Sequence, residues 1–183
     1  MYLGRLEPEK GVDVLLRAWA IIERDLHYPE LVIAGDGSMG TELRNTAAAM
    51  GLSNIHFTGR YEREDLDAMF DQVAVSVHPS VWFENSPFTV RESLLRAVPA
   101  IVTNVGGMPE MVGLHSGSII EAGSPEALAR AIREELEQPR AGSALLVEEV
   151  GRRAMSDSSH LEGLLEIYET ALSGKADHGS ERS

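Results

Sequence analysis

Leu31-Val32-Ile33-Ala34-Gly35-Asp36-Gly37-Ser38-Met39-Gly40 decides the fold class of this chain. Its first four residues are apolar, two of them β-branched, as in a short buried strand. Gly35, Gly37 and Gly40 then break the run, and residues 41–50 carry a helix-compatible pattern. Strand, tight turn and helix in immediate succession form the unit from which parallel sheets are built. The pattern recurs along the chain, with candidate strands at Met1–Leu3, Ile55–Phe57, Ala74–Val77, Ala100–Thr103 and Ser118–Ile120. Between them, Val12, Leu15, Leu16, Trp19, Ile22 and Leu26 recur at helical spacing, and Leu66, Met69 and Phe70 mark a shorter helix. Further helices are expected at Thr41–Met50, Phe88–Ala97, Pro125–Glu137 and Ala144–Leu172, the last broken near Ser156–Ser159. The sequence therefore predicts an α/β domain, a parallel sheet with helices on both faces. Residues from Ser173 onward are small and polar and are expected to be disordered. The first strand has only three residues before Gly4, so the chain reads as a fragment that opens inside an element.

Composition narrows the function. A length of 183 residues suits one domain with a substantial core. No apolar run approaches the roughly 20 residues of a membrane helix, and no basic-then-apolar signal peptide opens the chain. The absence of cysteine excludes disulfide and thiolate chemistry and suggests a cytoplasmic setting. A net charge of −13 argues against nucleic-acid binding, which needs a concentrated field of Lys and Arg. Any anionic ligand must be held locally, and Lys10 and Lys175 are the only lysines.

In a parallel sheet, ligands sit beyond the carboxyl ends of the strands, so the loops there carry the functional argument. The first, Gly4-Arg5-Leu6-Glu7-Pro8-Glu9-Lys10-Gly11, places two cations where a diphosphate could be neutralised, Arg5 through a planar fork and Lys10 as a point charge. The alternative is an exposed loop whose cations pair with Glu7 and Glu9. The central loop runs from Pro79-Ser80-Val81-Trp82-Phe83-Glu84-Asn85 to Ser86-Pro87-Phe88-Thr89. Ser86 as N-cap and Pro87 in the first helical position predict a helix start with free amides on Phe88 and Thr89, a site attractive to phosphate. Glu84, before this helix, and Glu92, within it, are expected to border one pocket, where a carboxylate can accept bonds from sugar or ribose hydroxyls. Against this, Glu92 and Arg96 stand at i, i+4 and would pair on an ordinary exposed helix. Trp82 and Phe83 read as packing residues.

Gly35–Gly40 spells GxGxxG, the fingerprint of a dinucleotide-binding domain. Asp36 sits where pyrophosphate should approach, and the next strand ends in Thr58-Gly59 with no acidic ribose ligand, so the glycines read as a tight turn. The histidines lack metal-ligand spacing and read as capping or surface groups. Ser80 lacks the Gly-x-Ser-x-Gly elbow of a serine hydrolase.

Taken together, Gly4-Arg5-Leu6, Glu9-Lys10-Gly11, Ala34-Gly35-Asp36-Gly37, Phe57-Thr58-Gly59, Pro79-Ser80, the glutamates Glu84 and Glu92 eight positions apart and Gly106-Gly107-Met108-Pro109-Glu110 closely resemble the C-terminal domain of the retaining glycosyltransferases of family 4. The resemblance covers roughly residues 1–172. It implies a Rossmann-like sheet forming one half of a GT-B architecture, a nucleoside-diphosphate sugar as ligand and no cofactor or metal. It further implies that Arg5 and Lys10 hold the diphosphate, Glu84 the sugar hydroxyls and Glu92 the ribose. Asn85, Ser86, Pro87, Phe88 and Thr89 would offer backbone amides, and Gly59 and Arg60 would lie near the base. The acceptor site would belong to an N-terminal domain absent from this chain. One departure stands at Ala97, where the family has glycine two residues before Pro99, and another at Ala100, where it has valine; both read as exchanges that alter packing rather than pocket chemistry. Two other readings stay open: a nicotinamide-cofactor domain built on Gly35–Gly40, and a free-standing nucleotide-binding or interaction module.

Overall fold

The computed structural model describes residues 1–23, 30–112 and 116–138, together with Leu165. Successive strand residues point to opposite faces of a sheet, and that rule organises the core. In the strand β5 (Ala100–Thr103), Ile101 joins one apolar cluster, while Ala100 and Val102 join another. In β2 (Leu31–Ala34), Leu31 and Ile33 face the first cluster and Ala34 faces away. Helices α1 (Val12–Glu23), α2 (Gly40–Ala49) and α6 (Pro125–Glu137) cover the first face. The other is covered by α3 (Leu66–Phe70), α4 (Phe88–Leu95) and the single turn α5 (Met108–Met111). Within α1, Leu15, Leu16 and Ile22 are fully buried, each burial stabilising the domain by roughly 1.5–3 kcal/mol. Helix α6 starts as its sequence requires: Ser124 accepts the Ala127 amide at 3.2 Å and Pro125 follows it.

Six strands run parallel in two ladders, β1 (Tyr2–Leu3), β2 and β3 (Ile55–Gly59), then β4 (Ser76–His78), β5 and β6 (Gly117–Ile120). Hydrogen bonds from Met1 N to Val75 O at 2.8 Å and from Val77 N to Met1 O at 2.9 Å join the ladders through β1 and β4. The resulting order is 3-2-1-4-5-6, the doubly wound order, with its reversal between β1 and β4. This bears out the α/β reading with a parallel sheet and helices on both faces.

The boundaries differ in places. Strand β4 covers Ser76–His78 rather than Ala74–Val77, because its partner β5 opens at Ala100, which stands opposite Ser76. Strand β3 runs on to Gly59 after a register shift opposite Ile33 and Ala34. Helix α4 stops at Leu95, and α5 lies in a stretch where the sequence pattern marks no helix. Leu26, the helix expected at Ala144–Leu172 apart from Leu165, and the tail expected to be disordered lie outside the described residues.

Candidate functional site

Where the strand order reverses, the loops after β1 and β4 enclose a cavity of about 410 Å³. Arg5, Lys10, Glu84, Asn85, Ser86, Pro87, Phe88 and Thr89 all line it, joined by Tyr2, Tyr61, His78 and Ser80. Two loops far apart in sequence are thus brought to one crevice by the adjacency of β1 and β4. Gly59, Arg60 and Glu92 are not among its lining residues.

The two cations behave differently. Arg5 pairs with Glu9 at 3.3 Å on the exposed rim, as the simple loop reading anticipates. Lys10 instead reaches across the cavity wall to the carboxylate of Glu84. Glu7 turns away from both, its carboxylate accepting Ser38 Oγ at 2.6 Å and Ser38 N at 3.1 Å, and these bonds hold its pKa below the usual range. Tyr2, unmarked in the sequence reading, donates its hydroxyl to Arg5 O at 2.6 Å and so braces the first loop.

The loop that carries Glu84 is held by Gly106 and Gly107. The amide of Gly107 donates to Glu84 O at 2.6 Å. A Cβ on Gly106, whose φ is +64°, would stand 2.2 Å from Glu84 O, and one on Gly107 would stand 2.1 Å from Asn85 O. Only glycine permits this approach. The two glycines of the Gly-Gly-Met-Pro-Glu motif therefore act as a backbone seat for the acidic loop, and α5 begins at its third residue, Met108.

Helix α4 opens at Phe88 as expected, but its cap falls one residue later than the Ser86 signal suggests. Pro87 is the N-cap, extended with ψ 125°, and Ser86 lies in the loop with no capping bond from a side chain. The backbone ladder opens with Val90 N to Pro87 O at 3.1 Å, so the amides of Phe88 and Thr89 precede it at the cavity edge. Glu92 is engaged elsewhere: it pairs with Arg96 Nη1 at 2.5 Å, and Arg96 also holds Asp67 at 2.6 Å and stacks over Phe70 at 5.4 Å. The charge of Glu92 is still felt at the site, since it adds to burial in raising the pKa of Tyr61.

Ala97 lies outside the cavity lining, and its exchange acts on the backbone. Its amide bonds Leu94 O and that of Val98 bonds Ser93 O, the Schellman closure of a helix, with Ala97 in the left-handed region at φ 59°. A β-carbon there strains the backbone. The aromatic residues are a correction: Trp82 and Phe83 are 67% and 77% exposed rather than packed, and Phe88, which lines the cavity, is 76% exposed.

His78 is a second. Far from being a surface group, it is buried at the end of β4, with Nε2 3.2 Å from Ser76 Oγ and Nδ1 3.3 Å from Thr89 Oγ1. Burial first, then the nearby N-terminal ammonium and Lys10, lowers its pKa to about 3. It is neutral at pH 7 and ties β4 to the start of α4.

A second hollow of about 470 Å³ adjoins the first through Gly4, Arg5 and Tyr61 and is bordered by Asp36 and Arg60, which pair at 3.3 Å on the surface. Here the GxGxxG motif proves to be internal bracing. The amide of Gly35 bonds Gly59 O, Gly37 bonds the Asp36 carboxylate, Ser38 bonds Glu7, Met39 bonds Leu6 O and Gly40 bonds Gly37 O. A Cβ on Gly35 would stand 1.8 Å from Gly4 O, so the loop is pressed against the first one. Amides already committed in this way do not form a pyrophosphate nest. Among the described residues no three His, Asp or Glu side chains converge as a metal-ligand set, and no helix is long and apolar enough to cross a membrane.

Residues 1–152 match the family described as Glycosyl transferases group 1. The chain belongs to that family. Among curated relatives of this group 1 domain, the D-rhamnosyltransferase WbpZ of Pseudomonas aeruginosa is 31% identical over 157 residues, covering 84% of this chain and 39% of WbpZ. A D-inositol 3-phosphate glycosyltransferase of Streptomyces coelicolor is 29% identical over 152 residues, covering 76% and 33% respectively. The chain thus spans well under half the length of these relatives. Anabaena HepE in complex with UDP superposes with a TM-score of 0.80 at 21% identity, over 92% of this chain and 48% of HepE. The catalytic domain of cholesterol-alpha-glucosyltransferase from Helicobacter pylori gives 0.73 at 18% identity, over 85% of this chain and 99% of that domain. The fold is that of a GT-B glycosyltransferase domain.

Proposed function

We propose that this domain binds the donor of a retaining, family 4 hexosyltransferase, a nucleoside-diphosphate sugar, in the β1–β4 crevice. The observation that carries the reading is the convergence on one cavity of Lys10, the α4 amides of Phe88 and Thr89, and the Glu84 carboxylate. The first two suit a diphosphate and the third suits sugar hydroxyls. Arg5 adds charge at the rim, and the base is proposed to lie near Gly59 and Arg60, the latter bordering the second hollow. With the leaving diphosphate met by Lys10 and a helix end, the negative charge that develops as the glycosidic bond breaks is stabilised in place. Glu92 is proposed to reach the ribose by exchanging Arg96 for ribose hydroxyls. The solved HepE structures with UDP and with UDP-glucose support a nucleotide-sugar ligand by analogy of fold. The committed amides of Gly35–Gly40 disfavour the nicotinamide alternative.

Acceptor binding is proposed to come from sequence outside residues 1–172, so that this chain alone binds donor and transfers no sugar. Calorimetry with UDP, GDP, their free nucleosides and NADH tests the reading. Binding of a nucleoside diphosphate well above that of its nucleoside, with none of NADH, is expected. NADH binding without diphosphate binding would replace the donor reading with the cofactor one.

A further inference from the structure

Lys10 and Glu84 lie 74 residues apart, yet their charged ends meet at the cavity wall with side chains only 19% and 17% exposed. The cation best placed to meet a diphosphate already holds an internal anion. A ligand phosphate can take Lys10 only by replacing that carboxylate, because the two anions compete for one ammonium. The displaced carboxylate has a second hold: Ser80 Oγ lies 3.2 Å from the same Glu84 oxygen. Ser80 is buried, and its carbonyl accepts Thr103 Oγ1 at 2.6 Å, which fixes its position against the end of β5. Its single hydroxyl proton has three acceptors within reach, Glu84 Oε1, Glu9 O at 2.9 Å and Trp82 O at 3.2 Å. It can serve only one of them at a time.

We infer that the Lys10–Glu84 ion pair is an internal stand-in for the donor diphosphate, which the donor displaces so that Glu84, steered by Ser80, turns to the sugar. This rests on the donor reading. A sugar-bearing donor breaks the pair and recovers hydrogen bonds from the freed carboxylate. A nucleoside diphosphate breaks it and recovers none, so the crevice discriminates against the spent nucleotide and the re-formed pair speeds its departure. Ser80 is a positioning residue in this scheme, and Glu84 is the selector.

Calorimetry on the full chain with UDP, UDP-glucose, GDP and GDP-mannose tests it. Glu84→Gln keeps the side-chain size and removes the charge, so the bare diphosphate should bind roughly three- to tenfold more tightly than to the wild type while the advantage of the sugar-bearing form shrinks. In a Lys10→Met background the same Glu84→Gln change should bring no gain. A gain that persists there would mean plain repulsion between Glu84 and phosphate and would overturn the stand-in. An unchanged or weakened diphosphate affinity in Glu84→Gln would overturn it too. Ser80→Ala should lower the ratio of sugar-bearing to bare affinity with diphosphate binding within about twofold of wild type; an unchanged ratio removes Ser80 from the scheme. Wild-type silence toward every nucleotide would remove the donor reading itself, whereas wild-type binding without the Glu84→Gln gain removes this inference alone.

Discussion

Two acid–base pairs flank the carboxyl edge of the sheet, and they sit in opposite surroundings. In the β1–β4 crevice, Lys10 and Glu84 are largely withdrawn from water and are held by Ser80 and by the glycine seat of Gly106 and Gly107. On the shoulder above β2 and β3, Arg60 and Asp36 pair with side chains 85% and 58% exposed. Water and salt screen the second pair and leave it little energy of interaction, whereas the first works in a setting where a charge is costly to leave alone. The cavity with a withdrawn charge pair thus lies at the strand-order reversal and not at the glycine-rich turn, which is why the donor is proposed to bind there. The turn spends the amides of Gly35 and Gly37–Gly40 on the protein, whereas Phe88 and Thr89, ahead of the α4 ladder, line the crevice.

The largest effect should come from removing the seat. Gly106→Val sets a side chain against Glu84 O and forces a β-branched residue to positive φ, so the Glu84 loop must move. A loss of stability of about 3 kcal/mol or more, together with loss of nucleotide binding, is expected in urea unfolding and calorimetry. Wild-type stability in this variant would mean that the loop does not depend on the seat.

The crevice and the shoulder can then be compared charge for charge. Lys10→Ala should weaken nucleoside-diphosphate binding by about 1.5–3 kcal/mol and leave the free nucleoside nearly unaffected. Arg60→Ala should change diphosphate binding by less than about 1 kcal/mol. Titration calorimetry of both variants checks the contrast, and a reversed order would move the diphosphate to the shoulder.

The neutral histidine beneath the crevice gives a pH signature. The pKa of His78 falls from 6.5 to about 3 on folding, so below pH 6.5 the unfolded chain takes up a proton that the folded chain refuses. Its contribution to stability is complete above pH 6.5 and declines as the pH falls toward 3, by about 2 kcal/mol between pH 7 and pH 5. His78→Gln should remove that portion of the decline in urea unfolding at the two pH values. An identical decline in variant and wild type would place the titration elsewhere.

The smallest effect lies at the far end of α4, away from both pairs. Ala97→Gly relieves the left-handed backbone at φ 59° and should stabilise the domain by about 0.5–1 kcal/mol with ligand affinity unchanged. Thermal unfolding measures it, and a lower melting temperature would contradict the strain.

Much of this arrangement was legible in the residues. Short apolar runs and glycine punctuation marked the strands and the α/β class, because strands buried on both faces of a parallel sheet are written as continuous apolar runs. Polar residues inside strands were not legible: Ser76 and His78 break the apolar run of β4, and only the neighbouring strands show that they are buried. The two site loops were picked out by their cations and by the Ser86-Pro87 signal. The pairing of Lys10 with Glu84 was not, because it depends on β1 lying beside β4, a contact spanning more than 70 residues. Glu92 with Arg96 was visible from i, i+4 spacing and formed as that spacing allows. The exposure of Trp82, Phe83 and Phe88 ran against the usual fate of aromatic residues, and no local pattern marks it.

Hydrogen exchange with and without saturating UDP or GDP tests the central claim most directly. New amide protection is expected in residues 4–11 and 79–92, centred on Phe88 and Thr89, with little change at residues 35–40. Protection confined to residues 35–40 would contradict it and hand the nucleotide to the glycine-rich turn.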